Sequence, residues 1–91
     1  MSDRTAREVV VHGRVQGVFF RDSCRREASA AGVAGWVTNA PDGTVHARFE
    51  GSPDSVERLV AWVHHGPPHA DVQRVDVHEV PAEGLRSFEV R

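Results

Sequence analysis

The hydrophobic period changes along this chain in a fixed order, and that order leaves few folds open. Val9-Val10-Val11 is a short apolar run bounded by Gly13 and reads as a strand. From Phe20 the spacing turns helical: Phe20, Cys24, Ala28 and Ala31 share one face, with Arg25, Arg26 and Glu27 away from it. Gly32 is a suitable C-terminal stop, since glycine takes a left-handed cap without penalty. Gly35 to Asn39 reads as a strand and Thr44 to Glu50 as another, with Val45, Ala47 and Phe49 alternating against His46 and Arg48. Pro41-Asp42-Gly43 between them is a turn, so the two strands form an antiparallel hairpin. Ser52-Pro53-Asp54 opens a second helix as N-cap, first-position proline and first-turn acid, and Val56, Leu59, Val60 and Val63 form its stripe. Gly66-Pro67-Pro68 ends it. Val72, Val75 and Val77 mark a further strand, and Ser87 to Val90 a last short one.

The order is therefore β-α-β-β-α-β with a terminal strand. An antiparallel sheet carrying two helices on one face, a ferredoxin-like α+β sandwich with a short extra C-terminal strand, is the packing that this order predicts. The 91 residues are expected to form a single domain, with residues 1–6, which are polar, disordered. No repeat, low-complexity tract or linker interrupts them. This fold serves many functions, so chemistry has to be argued from particular residues.

Composition removes several classes of function. All eleven basic residues are arginine, which excludes lysine Schiff bases, a lysine base and a P-loop lysine. A net charge of −2 argues against a general polyanion binder. The single cysteine, Cys24, has no internal disulfide partner and lies on the apolar helical face, as a small core residue would. No run approaches the roughly 20 apolar residues that span a bilayer, so a cytoplasmic protein without membrane contact is expected. An RNA-binding use of the fold needs exposed aromatics on the central strands, and these carry at most Phe49, placed by alternation among the core residues. No nucleic-acid partner is expected.

The segment most suited to chemistry is Gly13-Arg14-Val15-Gln16-Gly17-Val18-Phe19-Phe20-Arg21. A strand, a loop framed by glycines and a helix opening beside an arginine can cradle an anion, because successive N–H groups and the helix dipole converge there. Taken alone, the glycines equally suit a tight strand-to-helix connection. Arg21 adds weight to the anion reading, since the helix dipole disfavours a cation at that end and a guanidinium can fork onto two anion oxygens. Arg14 would face solvent or steer anions. Asn39 closes its strand before the turn; asparagine there commonly bonds its own backbone, although its amide can also hold a water. The six histidines lack metal-ligand spacing, and no Cys/His or paired-carboxylate cluster forms a ligand set. Ser23 has no base partner, Asp42 is turn chemistry, and Trp36 and Trp62 fall in regular elements, where packing is their expected role.

Those nine residues, Gly13 to Arg21, strongly resemble the first signature of acylphosphatases. Gly35-Trp36-Val37-Thr38-Asn39-Ala40-Pro41-Asp42-Gly43-Thr44-Val45, running on to Phe49-Glu50-Gly51, resembles the second. Gly66-Pro67-Pro68 and the valines after it fit the family's usual ending, so the resemblance extends from about Glu8 to the C-terminus. Thr38 departs from the pattern, which usually has a basic or longer polar residue there. The resemblance implies hydrolysis of carboxyl-phosphate anhydrides to carboxylate and inorganic phosphate, without metal, cofactor or covalent enzyme intermediate. It implies that Arg21 binds substrate, that the backbone of Arg14, Val15, Gln16, Gly17 and Val18 holds the phosphate, and that Asn39 orients the attacking water, with Thr44 as a partner for its amide. A small-molecule acyl phosphate would be the only partner of a monomeric enzyme. The alternative is a non-catalytic module binding phosphate or acyl phosphate.

Overall fold

The structure, a computed structural model, describes residues 3–91. Its elements are β1 (Thr5–Arg14), α1 (Phe20–Ala31), β2 (Ala34–Asn39), β3 (Val45–Gly51), α2 (Pro53–Val63), β4 (Asp71–Val80) and β5 (Phe88–Val90). The five strands form one sheet in the order β4-β1-β3-β2-β5. Val9, Val11, Val37, Val45, Ala47 and Phe49 turn one face of that sheet toward Phe20, Cys24 and Ala28 of α1 and Val56, Leu59 and Val63 of α2, in one core cluster. Each of these larger side chains contributes about 1.5–3 kcal/mol by leaving water. The ferredoxin-like α+β sandwich expected from the order is the fold observed.

Helix boundaries follow local rules. Gly32 caps α1 at φ 70°, with the Gly32 and Val33 N–H groups donating to the Ser29 and Ala28 carbonyls. At α2 the Ser52 hydroxyl accepts from the Ser55 N–H and Pro53 occupies the first turn, as predicted. Burial pushes the Cys24 thiol up to about 12, which fits an inert core residue.

Two expectations are corrected. The sheet is mixed, because β5 pairs parallel with β2 while all other pairs are antiparallel. Residues 5 and 6 are not disordered: β1 begins at Thr5, and Ala6 is buried between Glu50 of β3 and Val80 of β4. Met1 and Ser2 lie outside the described residues. A polar sequence does not disclose that pairing, because the hydrogen bonds come from strands distant in the chain.

The face of the sheet away from the helices carries buried charge. Strand alternation puts Arg48 and Glu50 there, and Arg48 is 3% and Glu50 0% exposed. Topology explains it. With β4 at one edge and β5 at the other, the 81–87 connection must run past β1, β3 and β2. Glu50 accepts hydrogen bonds from the Glu83, Gly84 and Leu85 N–H groups, and Arg48 donates to Glu50, Glu8 and the Pro81 carbonyl. Burial pushes the Glu50 carboxyl up, but the Glu83 N–H, the Arg48 guanidinium and the Leu85 N–H outweigh it and leave it below the usual carboxylate range.

Candidate active site

Between Arg14 and Phe20 the chain must leave a strand interior to the sheet and enter a helix within a few residues. A bulge between His12 and Gly13 starts the turn. Gly13 has φ 126°, and a Cβ there would sit 2.1 Å from the Asp71 carbonyl oxygen, so only glycine lets β1 stay against β4. Val15 and Val18 are buried in the core and pin the loop from below. Gly17 (φ 74°) and Phe19 (φ 62°) take left-handed backbone, which turns successive peptides inward as an anion-binding nest requires. Among the described residues, the N–H groups of Val15, Gln16, Gly17 and Val18 have no hydrogen-bond partner.

The loop is held from the side as well. Gln16 Nε2 donates to the Ala40 and Thr44 carbonyl oxygens at 2.8 and 2.9 Å, tying it to the β2–β3 turn. That turn carries Asn39, the last residue of β2, opposite Val45. The two signatures, separated in sequence, are therefore fastened together by one side chain.

Arg21 stands in the first turn of α1 and is half-buried. Its Nη1 donates to the Arg91 main-chain oxygen at 3.1 Å. The Arg91 N–H in turn donates to the Val37 carbonyl (2.8 Å), and its guanidinium lies over the Trp36 ring at 5.3 Å. The chain beyond β5 thus fixes an acceptor for Arg21.

A cavity of about 510 Å³ opens between these parts. Four of the candidate site residues, Val15, Gly17, Arg21 and Asn39, line it, together with Phe19, Phe20, Asp22, Arg25 and Val90. Arg14, Gln16 and Val18 are not on its wall. Arg14 is the last residue of β1, opposite Asp71, and its guanidinium donates to the His69 carbonyl at 3.2 Å. Gln16 serves as the brace and Val18 as a core anchor. Asn39's amide has no hydrogen bond among the described residues. Thr44 does not serve it: the Thr44 hydroxyl donates to Asp42 at 2.6 Å and contacts His46 Nε2 at 3.1 Å.

Charge in the cavity is uneven. Asp22 binds both Arg25 (3.1 Å) and Arg26 (2.7 Å), and the Arg25 hydrogen bond above all holds the Asp22 carboxyl below its ordinary value. Arg25 is thereby paired, whereas the Arg21 guanidinium meets no Asp or Glu side chain among the described residues and contacts the Arg91 main-chain oxygen. The other candidates are occupied by structure: His12 contacts Asp76 at 2.9 Å, and Trp62 packs on Phe20 with ring centroids 5.3 Å apart.

Comparison with known proteins decides the family. The acylphosphatase family model matches residues 7–90. The chain belongs to the acylphosphatase family. It is 61% identical over 84 residues to an acylphosphatase of Rubrobacter xylanophilus, covering 91% of this chain and 76% of that one. With an acylphosphatase of a Nocardioides species it shares 56% over 88 residues, 97% and 89% of the two chains. The structure of an acylphosphatase from Coxiella burnetii superposes with a TM-score of 0.94 at 40% identity, over 98% of this chain and 94% of that one. The protein is accordingly an acylphosphatase, a hydrolase. No helix among the described residues is long and apolar enough to cross a membrane.

Sequence reasoning missed Phe19 and Val90 as cavity residues and the Arg91 backbone as the acceptor for Arg21. Phe19 left one legible signal, an aromatic at the start of a helix where a small polar cap is favoured. The β5 contributions left none, since they depend on which sheet edge the last strand joins.

Proposed function

We propose that this acylphosphatase hydrolyses acyl phosphates in the cavity between the 15–18 loop, Arg21 and Asn39. The observation that carries the reading is that an unpartnered amide loop, an arginine fork and a strand-end amide line one opening. The N–H groups of Val15 and Gly17, the two loop residues on the cavity wall, and the Arg21 guanidinium would hold the non-bridging phosphate oxygens. Asn39, accepting through Oδ1 and donating through Nδ2, would hold a water opposite the leaving group. The water oxygen forms a bond to phosphorus, the bond from phosphorus to the acyl oxygen breaks with its electron pair going to the carboxylate, and both protons of the water leave with the phosphate product as dihydrogen phosphate, which can release one to solvent.

Such a sparse site is chemically sufficient. The departing carboxylate has a conjugate acid of pKa about 4–5 and needs no strong general acid. Phosphoryl transfer has a loose transition state, so positioning and charge stabilisation account for most of the acceleration. In this reading the phosphate charge is met by backbone amides and the Arg21 guanidinium.

Phosphate release from acetyl phosphate, with and without a chelator, tests this. The wild type is expected to turn over equally in both conditions, and Asn39→Ala to lose about 10²–10³-fold in kcat, the usual cost of a positioned donor. Phosphate binding without turnover would favour the non-catalytic module instead, and a fully active Asn39→Ala would remove the assigned role of the amide.

A further inference from the structure

Of the three large apolar side chains left exposed among the described residues, two line the cavity that holds Arg21 and Asn39: Phe19, 79% exposed, and Val90, 43%. Phe19 is also the one non-glycine residue with positive φ among them. Left-handed backbone disfavours any L side chain. As the N-cap of α1 it provides no side-chain cap, a role that serine, aspartate or asparagine fills far better. Its ring gains nothing from the core, because it remains in water. Every local rule therefore points away from phenylalanine at this position, and residues set against local rules gather at functional sites.

The surroundings indicate what the ring is for. Val15, Phe20 and Val90 give the same cavity an apolar wall. Arg25, its second cation, is already paired with Asp22, so a second anionic group on a ligand would meet no free positive charge there. The cavity, about 510 Å³, falls within the range of small-molecule pockets and leaves space beside the phosphate subsite.

Resting on the hydrolytic reading above, we propose that Phe19 is a specificity-determining residue which, with Val90, binds the acyl portion of the substrate and selects uncharged aromatic acyl groups over small ones. The ring offers a face or edge to an aromatic acyl group while Arg21 and the amide loop hold the phosphate. Its left-handed backbone sets the ring at the cavity mouth instead of against the helix.

Steady-state hydrolysis of benzoyl phosphate and acetyl phosphate by wild type, Phe19→Gly and Phe19→Trp tests the assignment. Glycine accepts the left-handed φ, so that variant retains the loop backbone. The benzoyl-to-acetyl ratio of kcat/KM is expected to exceed one in the wild type, to fall about three- to tenfold in Phe19→Gly, and to be kept in Phe19→Trp, with the change lying in KM. An unchanged ratio in Phe19→Gly overturns the proposal. A wild type that hydrolyses neither compound overturns the hydrolytic reading and this assignment with it, a result distinct from an unchanged ratio.

Discussion

In the proposed reading Arg21 has two tasks within one planar group: one nitrogen donates to the Arg91 main-chain oxygen, and the others would meet the anion. A lysine supplies a single ammonium on a flexible stem and cannot reproduce the fork while keeping that contact. Arg21→Lys is therefore expected to fold normally and to lose at least about 10²-fold in kcat/KM for acetyl phosphate. Retention of most activity would show that charge alone is needed there. Both Arg21 and Asn39 were legible as residues, because an arginine at a helix start and an asparagine closing a strand carry local signals. Their convergence was not, since Gln16, which fastens the two segments, looks like any other loop glutamine until its acceptors Ala40 and Thr44 are in place.

At the scale of elements, the β1–α1 connection works because its parts are held from three directions: Val15 and Val18 in the core, Gln16 on the β2–β3 turn, and Gly13 against β4. Gly13→Ala should fail on two counts, positive φ and a Cβ driven into the Asp71 carbonyl. A loss of at least about 2 kcal/mol in unfolding free energy is expected, accompanied by weaker phosphate binding, since the same glycine starts the proposed cradle. Denaturant unfolding and phosphate titration of the variant check both parts. Helices and hairpin were readable because periodicity, caps and turn residues are local. The parallel pairing of β5 with β2 was not, because a short strand carries no record of its partner or direction.

Across the whole molecule, the 81–87 connection crosses the open face of the sheet, and Glu50 fastens it with three backbone hydrogen bonds. The strand that follows delivers Val90 to the cavity and the Arg91 backbone to Arg21, so a buried carboxylate far from the chemistry supports the site's frame. Because the native carboxyl titrates below its unfolded value, its stabilisation is complete above about pH 5 and is lost as the pH falls through the native value. Glu50→Gln should cost about 2 kcal/mol at neutral pH and should flatten the acid-side fall of the urea midpoint; parallel curves for the two proteins would contradict this. The periods, caps and glycines of the chain by themselves determined the order of elements, the helix-facing core and which residues are candidates for a phosphate, because each depends on neighbours within a few positions. Only the tertiary structure decided that Arg48 and Glu50 are buried, that Arg14, Gln16 and Val18 lie off the cavity wall, and that Phe19 and Val90 lie on it. Those outcomes depend on which strands become neighbours and where a crossing segment lands, and such long-range pairings leave no period in the sequence.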